Sequence, residues 1–94
     1  MIVGACTIQL HLSGIESLKG KRRVLKSLMA RVRNEFNVSI AEVGDNELWQ
    51  SAVLGVAAVS NDPDYVHGLL SRVVQWIEGH RLDVTVADYE IELL

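Results

Sequence analysis

The residues most able to do chemistry are cations. Seven of the nine Lys and Arg residues lie in one stretch, SLKGKRRVLKSLMARVRNEF, residues 17–36: Lys19, Lys21, Arg22, Arg23, Lys26, Arg31 and Arg33. Its single acid is Glu35, so the stretch carries a formal +6 against a formal −9 for the remainder and −3 for the whole. Such a cluster performs no bond-breaking step. It attracts an anion, and phosphate is the anion that Lys and Arg serve best. With about 100° per residue on a helix, Leu18, Leu25, Leu28, Met29, Val32 and Phe36 share one apolar arc. Lys19, Arg22, Arg23, Lys26 and Arg33 gather on a flank of that arc. Lys21 falls over the apolar stripe in the first turn, and Arg31 lies on the far side.

The location of the charge is the informative feature. Ser17 is a natural N-cap, which crowds cations into the first two turns. A helix N-terminus prefers acids, and an exposed cation there costs roughly 0.3–1 kcal/mol. Glu16 offsets part of this. An anion at this end would meet free N–H groups, the helix dipole and several cations together. A solvated helix face of good helix-forming residues is the plainer reading of the same run.

Three other constellations fall short of catalytic sets. Gly14 to Arg22, GIESLKGKR, has the outline of a nucleotide-binding loop, but it has one residue too many between its glycines and Arg22 where a magnesium-binding hydroxyl belongs. Asp88, Glu90 and Glu92 alternate on one face of the last strand, within reach of His11, Gln9 and Thr7. A carboxylate–histidine group can hold a divalent cation, although such a ladder more often wets a sheet face or guards an edge. Around a turn, Glu42, Asp45, Glu47, Trp49 and Gln50 form a third group, in which Trp49 could stack on a base or cover the end of a sheet. His11, His67 and His80 occupy different elements with no orienting acid, and His67 reads as a surface residue. No zinc spacing is present. The expectation is therefore no catalytic residues, no metal, no cofactor and no enzymatic activity.

Ninety-four residues, 49% of them apolar, make one domain with a real but modest core. The single cysteine, Cys6, fits a reducing compartment and reads as a small buried hydrophobe. The opening MIVGACTIQL lacks a basic leader and reads as a strand rather than a signal peptide. No apolar run approaches the ~18 residues of a membrane span.

The elements that must carry these residues follow from periodicity. Ile2 to Leu12 alternates as a strand, with Ile2, Gly4, Cys6, Ile8, Leu10 and Leu12 on the core face. After the basic helix, Asn37 to Val43 is rich in β-branched residues and Gly44 to Glu47 is a turn. Trp49 to Ser60 is apolar on both faces, which predicts a central strand covered on both sides. Asp62-Pro63 starts a second helix whose Val66, Leu69, Leu70, Val73, Val74 and Ile77 keep one stripe. Trp76 and Tyr65 read as packing residues at its edge, and Gly79 as its stop. Leu82 to Leu94 is the last strand, with a change of phase near Ala87-Asp88 that predicts a bulge.

The order β-α-β-β-α-β predicts an α+β, ferredoxin-like sandwich: an antiparallel four-stranded sheet in the order 4-1-3-2 with both helices on one face. Each helix has one apolar stripe, so the second sheet face stays open. Strand three is apolar there too. The expectation is a homo-oligomer, most simply a dimer, joined through that face or an edge.

The ensemble of Val3-Gly4, Ser17-Leu18-Lys19, Lys21-Arg22, Arg31-x-Arg33, Phe36-Asn37-Val38-Ser39, Ala41-Glu42-Val43, Trp49-Gln50 and Leu54-Gly55 resembles the bacterial YlxP-like family, domain of unknown function 503, over nearly the whole chain. The resemblance implies a ferredoxin-like fold and a cytoplasmic bacterial protein. Members often lie near genes of translation and ribosome maturation, which tilts the expected function toward RNA or the ribosome. No activity comes with the resemblance. Members commonly carry Glu where this chain has Gly20, so the capping box that Glu would close with Ser17 is missing here.

The expectation is a non-enzymatic RNA- or ribosome-associated module, with Lys19, Lys21, Arg22, Arg23, Lys26 and Arg33 on phosphates and Glu42, Trp49 and Gln50 as further partner contacts. The rival is an oligomeric regulatory or protein-interaction domain whose ridge grips an acidic protein or a small anion. A small metal protein built on the acidic ladder is a third, weaker reading.

Overall fold

The computed structural model describes residues 1–80 and 83–94. Its elements are β1 (Ile2–Leu12), α1 (Leu18–Glu35), β2 (Ser39–Gly44), β3 (Ser51–Ser60), α2 (Pro63–His80) and β4 (Val84–Leu93). The four strands form one antiparallel sheet in the order β2-β3-β1-β4. This is the expected β-α-β-β-α-β arrangement. Its antiparallel pairing also differs from the parallel sheet a nucleotide-binding loop requires.

Alternation decides which side of the sheet the helices cover. On β1, Gly4, Cys6, Ile8, Leu10 and Leu12 are buried, and on β3 Ala52, Leu54, Val56 and Ala58 are buried. These side chains meet Leu25, Leu28 and Val32 of α1 and the α2 stripe Val66, Leu69, Leu70, Val73, Val74 and Ile77 in one core. Both helices therefore lie on one face. Gly4 marks the tightest approach: a Cβ there would overlap Val66 Cγ1 and come within 3.0 Å of Leu70 Cδ1. Cys6 is part of this core, and burial raises its thiol pKa from 9.0 to about 11.

The bulge in β4 lies where the phase change placed it. Leu10 pairs with Val86 and Gln9 with Asp88, which leaves Ala87 as the extra residue. The bulge turns Val84 and Val86 inward before it and lets Ile91 reach the same side after it.

Some details differ from the sequence reading. The β2 and β3 strands begin two residues later than expected, and the intervening turn takes up Asp45 to Gln50. Gly79 lies inside α2, which runs on to His80, where the ring nitrogen Nδ1 is 2.8 Å from the Trp76 carbonyl oxygen. Tyr65 is half exposed rather than packed. Strand β3 is central as expected, but its second face has no cover among the described residues: Ala57 and Val59 are exposed. Leu82, expected to start the last strand, lies outside the described residues.

Candidate functional site

The first turn of α1 is capped by Ser17, whose Oγ accepts the Gly20 N–H at 3.0 Å. No acid stands in that turn. Lys19, Arg22, Arg23 and Lys26 are all exposed. The buried α1 residues are Lys21, Leu25, Leu28 and Val32. With about 100° per residue, the four exposed cations centre roughly 140° around the axis from that buried stripe. They occupy the outer surface of the helix rather than the flank of its apolar arc. Among the described residues, none of the four has an acid within ion-pair distance.

Lys21 is placed differently and is removed from the expected anion-binding set. It is only 1% exposed, the one buried charged residue among the described residues. Its Nζ donates to the carbonyl oxygens of Asp45 and Leu48 at 2.5 and 2.7 Å and lies 3.0 Å from Glu42 Oε2. Glu42 Oε2 is itself buried and makes no hydrogen bond of good geometry, so the neighbouring ammonium charge is its compensation. The physical reason is positional. The 100° step puts Lys21 on the same side as Leu25 and Leu28, and a cation there must find partners inside the protein.

The partners come from the β2–β3 connection. Glu42 shares its strand side with buried Ile40 and faces the helices. Beyond it, Asp45 adopts φ 58 in the left-handed region, and its carbonyl also accepts the Leu48 N–H at 3.0 Å. Lys21 thus fastens the turn to α1. Glu42, expected as a partner contact, is an internal counter-ion.

Arg33 is also engaged by the fold. Its Nη2 donates to the Ile40 carbonyl at 2.8 Å, tying the end of α1 to β2. Arg31 lies over the Trp76 ring at 5.7 Å from its centroid. That ring stacks on His80 at 4.5 Å and meets Phe36 edge-on at 6.4 Å. These contacts close the C-terminal ends of the two helices.

The remaining expected contact residues, Trp49 and Gln50, sit in the turn that Lys21 fastens. Trp49 is half exposed and Leu48 beside it is 53% exposed. With His11, Gln50 and Ser51 they line an open depression of about 380 Å³ at one end of the sheet.

The acidic ladder lies on the open sheet face. Glu92 pairs with Ala5, Glu90 with Thr7 and Asp88 with Gln9, while His11 pairs with Thr85 further along. Asp88 Oδ1 accepts the Tyr89 N–H at 2.9 Å. Among the described residues, no three His, Cys, Asp or Glu side chains converge as metal ligands.

Comparison with known proteins places the chain. The family model described as "Protein of unknown function (DUF503)" matches residues 3–91. The chain belongs to the DUF503 family. It is similar to the "Uncharacterized protein YlxP" of Bacillus subtilis (strain 168), with 47% identity over 63 residues, covering 67% of this chain and 68% of that protein. Among the described residues of this DUF503 member, no helix is long and apolar enough to cross a membrane.

The sequence reading missed the Lys21–Glu42 clasp, although its signals were available. One was a lysine on an apolar stripe. The other was a glutamate two residues after Ile40, on the inward parity of its strand.

Proposed function

We propose that the protein is a non-enzymatic, cytoplasmic RNA-associated module that holds phosphates with Lys19, Arg22, Arg23 and Lys26. The observation that carries this reading is the unpaired state of these four cations on the outer face of α1, within a helix start that has no acid in its first turn. A fold that can bury and pair Lys21 has left its neighbours open to solvent. Their partner is external and anionic, and RNA is the polyanion toward which the family resemblance tilts.

Contacts of this kind position a backbone without reading its sequence. The half-exposed Trp49, in the turn anchored to Lys21, offers a ring on which a base can stack. Arg33 is tied through its Nη2 to the Ile40 carbonyl, so its guanidinium is already partly engaged by the fold.

The test is filter binding of short single-stranded RNAs of unrelated sequence to the native chain and to the charge-reversed variant Arg22→Glu/Arg23→Glu. The variant should lose affinity about tenfold or more for all sequences alike. Equal binding by the two proteins would refute the reading. A protein partner recovered from cells equally well after nuclease treatment would transfer the ridge to an acidic protein instead.

A further inference from the structure

The open sheet face is apolar on one half and acidic on the other. Its apolar half is centred on β3 with the adjoining parts of β2 and β1, where Ala5, Ala41, Gly55, Ala57, Val43 and Val59 lie side by side through the pairs Ala5–Ala57 and Ala41–Gly55, while Thr7, Gln9 and His11 continue the same face of β1 as exposed polar residues. Val43 and Val59 are 60% and 61% exposed. Between them the small residues leave a shallow hollow of about 360 Å³. The floor is held low at Gly55, where an added Cβ would come within 2.9 Å of Val43 Cγ1. The acidic half is the β4 edge, with Asp88, Glu90 and Glu92 in register beside Gln9, Thr7 and Ala5.

We propose that a second copy of this chain covers the apolar half, with the two-fold axis running along β3. Charge selects that axis. A two-fold in the plane of the interface can run along the strands or across them. Across the strands it would lay β4 on β4 and bring six carboxylates face to face. Along β3 it lays β1 of one copy on β2 of the other, and each β4 overhangs on opposite sides with its acids in water.

Area sets the strength. At ~4.8 Å spacing and ~3.4 Å per residue, β1 and β3 (11 and 10 residues) with the shorter β2 (6 residues) cover roughly 440 Å². Two such faces bury roughly 900 Å² together, below the range of stable specific interfaces and in that of weak ones. The dimer is therefore concentration-dependent. It leaves the outer face of α1 free, because the helices cover the opposite side of the sheet.

Sedimentation equilibrium of the full chain over a roughly hundredfold concentration range should show the mass rise from 10.4 kDa toward twice that value. Ala57→Glu places like charges together near the axis and should weaken association about tenfold or more. Val59→Lys, at a position already open to solvent, should do the same with the circular dichroism spectrum unchanged. Glu90→Gln/Glu92→Gln should leave association unaltered, since those acids overhang. A native chain that stays monomeric throughout, a dimer indifferent to both Ala57→Glu and Val59→Lys, or a dimer markedly strengthened by Glu90→Gln/Glu92→Gln would each overturn the proposal.

Discussion

Lys21 Nζ lies 3.0 Å from Glu42 Oε2, and this pair ties the first turn of α1 to the middle of β2. The ammonium reaches past the carboxylate to two carbonyls of the following turn. A charge that looks like part of a ligand-binding ridge is thus a fastener between a helix and a hairpin. The fastener determines where the exposed Leu48 and Trp49 stand.

Breaking the pair from either side should be expensive. Lys21→Met leaves the buried Glu42 Oε2 without its counter-charge, and unfolding in urea should show a loss of about 2–3 kcal/mol. Lys21→Met combined with Glu42→Leu should regain a large part of that loss. The double variant proving as unstable as the sum of the two single changes would show that the residues do not act as a pair.

Gly4→Ala tests the contact between β1 and α2. The new methyl group meets Val66 and Leu70 in the core, so the chain should lose about 1–3 kcal/mol through overpacking. Gly4→Ala combined with Val66→Ala should relieve part of the strain, measured by the same urea transitions.

The helix start should be sensitive to Ser17. Its Oγ accepts the Gly20 N–H in a turn with no acid to complement the dipole, so Ser17→Ala should cost about 1 kcal/mol in thermal or urea unfolding. The exposed cations are unchanged in this variant, and RNA affinity should be retained at temperatures where it is folded.

Cys6 gives a pH signature. Its thiol is raised from 9.0 to about 11 by burial, so the folded state holds the proton more tightly than the unfolded chain. The associated stability is complete below about pH 9 and is lost as pH rises toward 11. Thermal melts should fall across that window more steeply for the native chain than for Cys6→Ala. Identical slopes would contradict the assignment.

The fold was legible because its signals were local and repeated. Alternation in Ile2–Leu12, the unbroken stripe of α2 and the Asp62-Pro63 start each specified an element, and the helix stripes specified one covered sheet face. The phase shift at Ala87 was visible as a change of parity. The site was only partly legible. Counting charges gathered six cations into one set, but the structure divides them by angle: Lys19, Arg22, Arg23 and Lys26 face outward, Lys21 faces the core, and Arg33 curls onto a β2 carbonyl. Hydrogen bonds from a side chain to a distant backbone carbonyl leave no periodic trace in a sequence, so the roles of Asp45 and Leu48 could not be read in advance. Gly79 resembled a stop because glycine often follows a helix, yet α2 continues through it to His80.

The central claim is that four outward cations meet a phosphate backbone while Lys21 does not. The most direct measurement is the dependence of single-stranded RNA affinity on salt. With three to four phosphates neutralised, the logarithm of the association constant should fall against the logarithm of salt concentration with a slope of about −2 to −3. The slope should flatten in Arg22→Glu/Arg23→Glu and stay as it is in Lys21→Met/Glu42→Leu. A native chain whose RNA affinity is undetectable at low salt, or does not change with salt, would contradict the account.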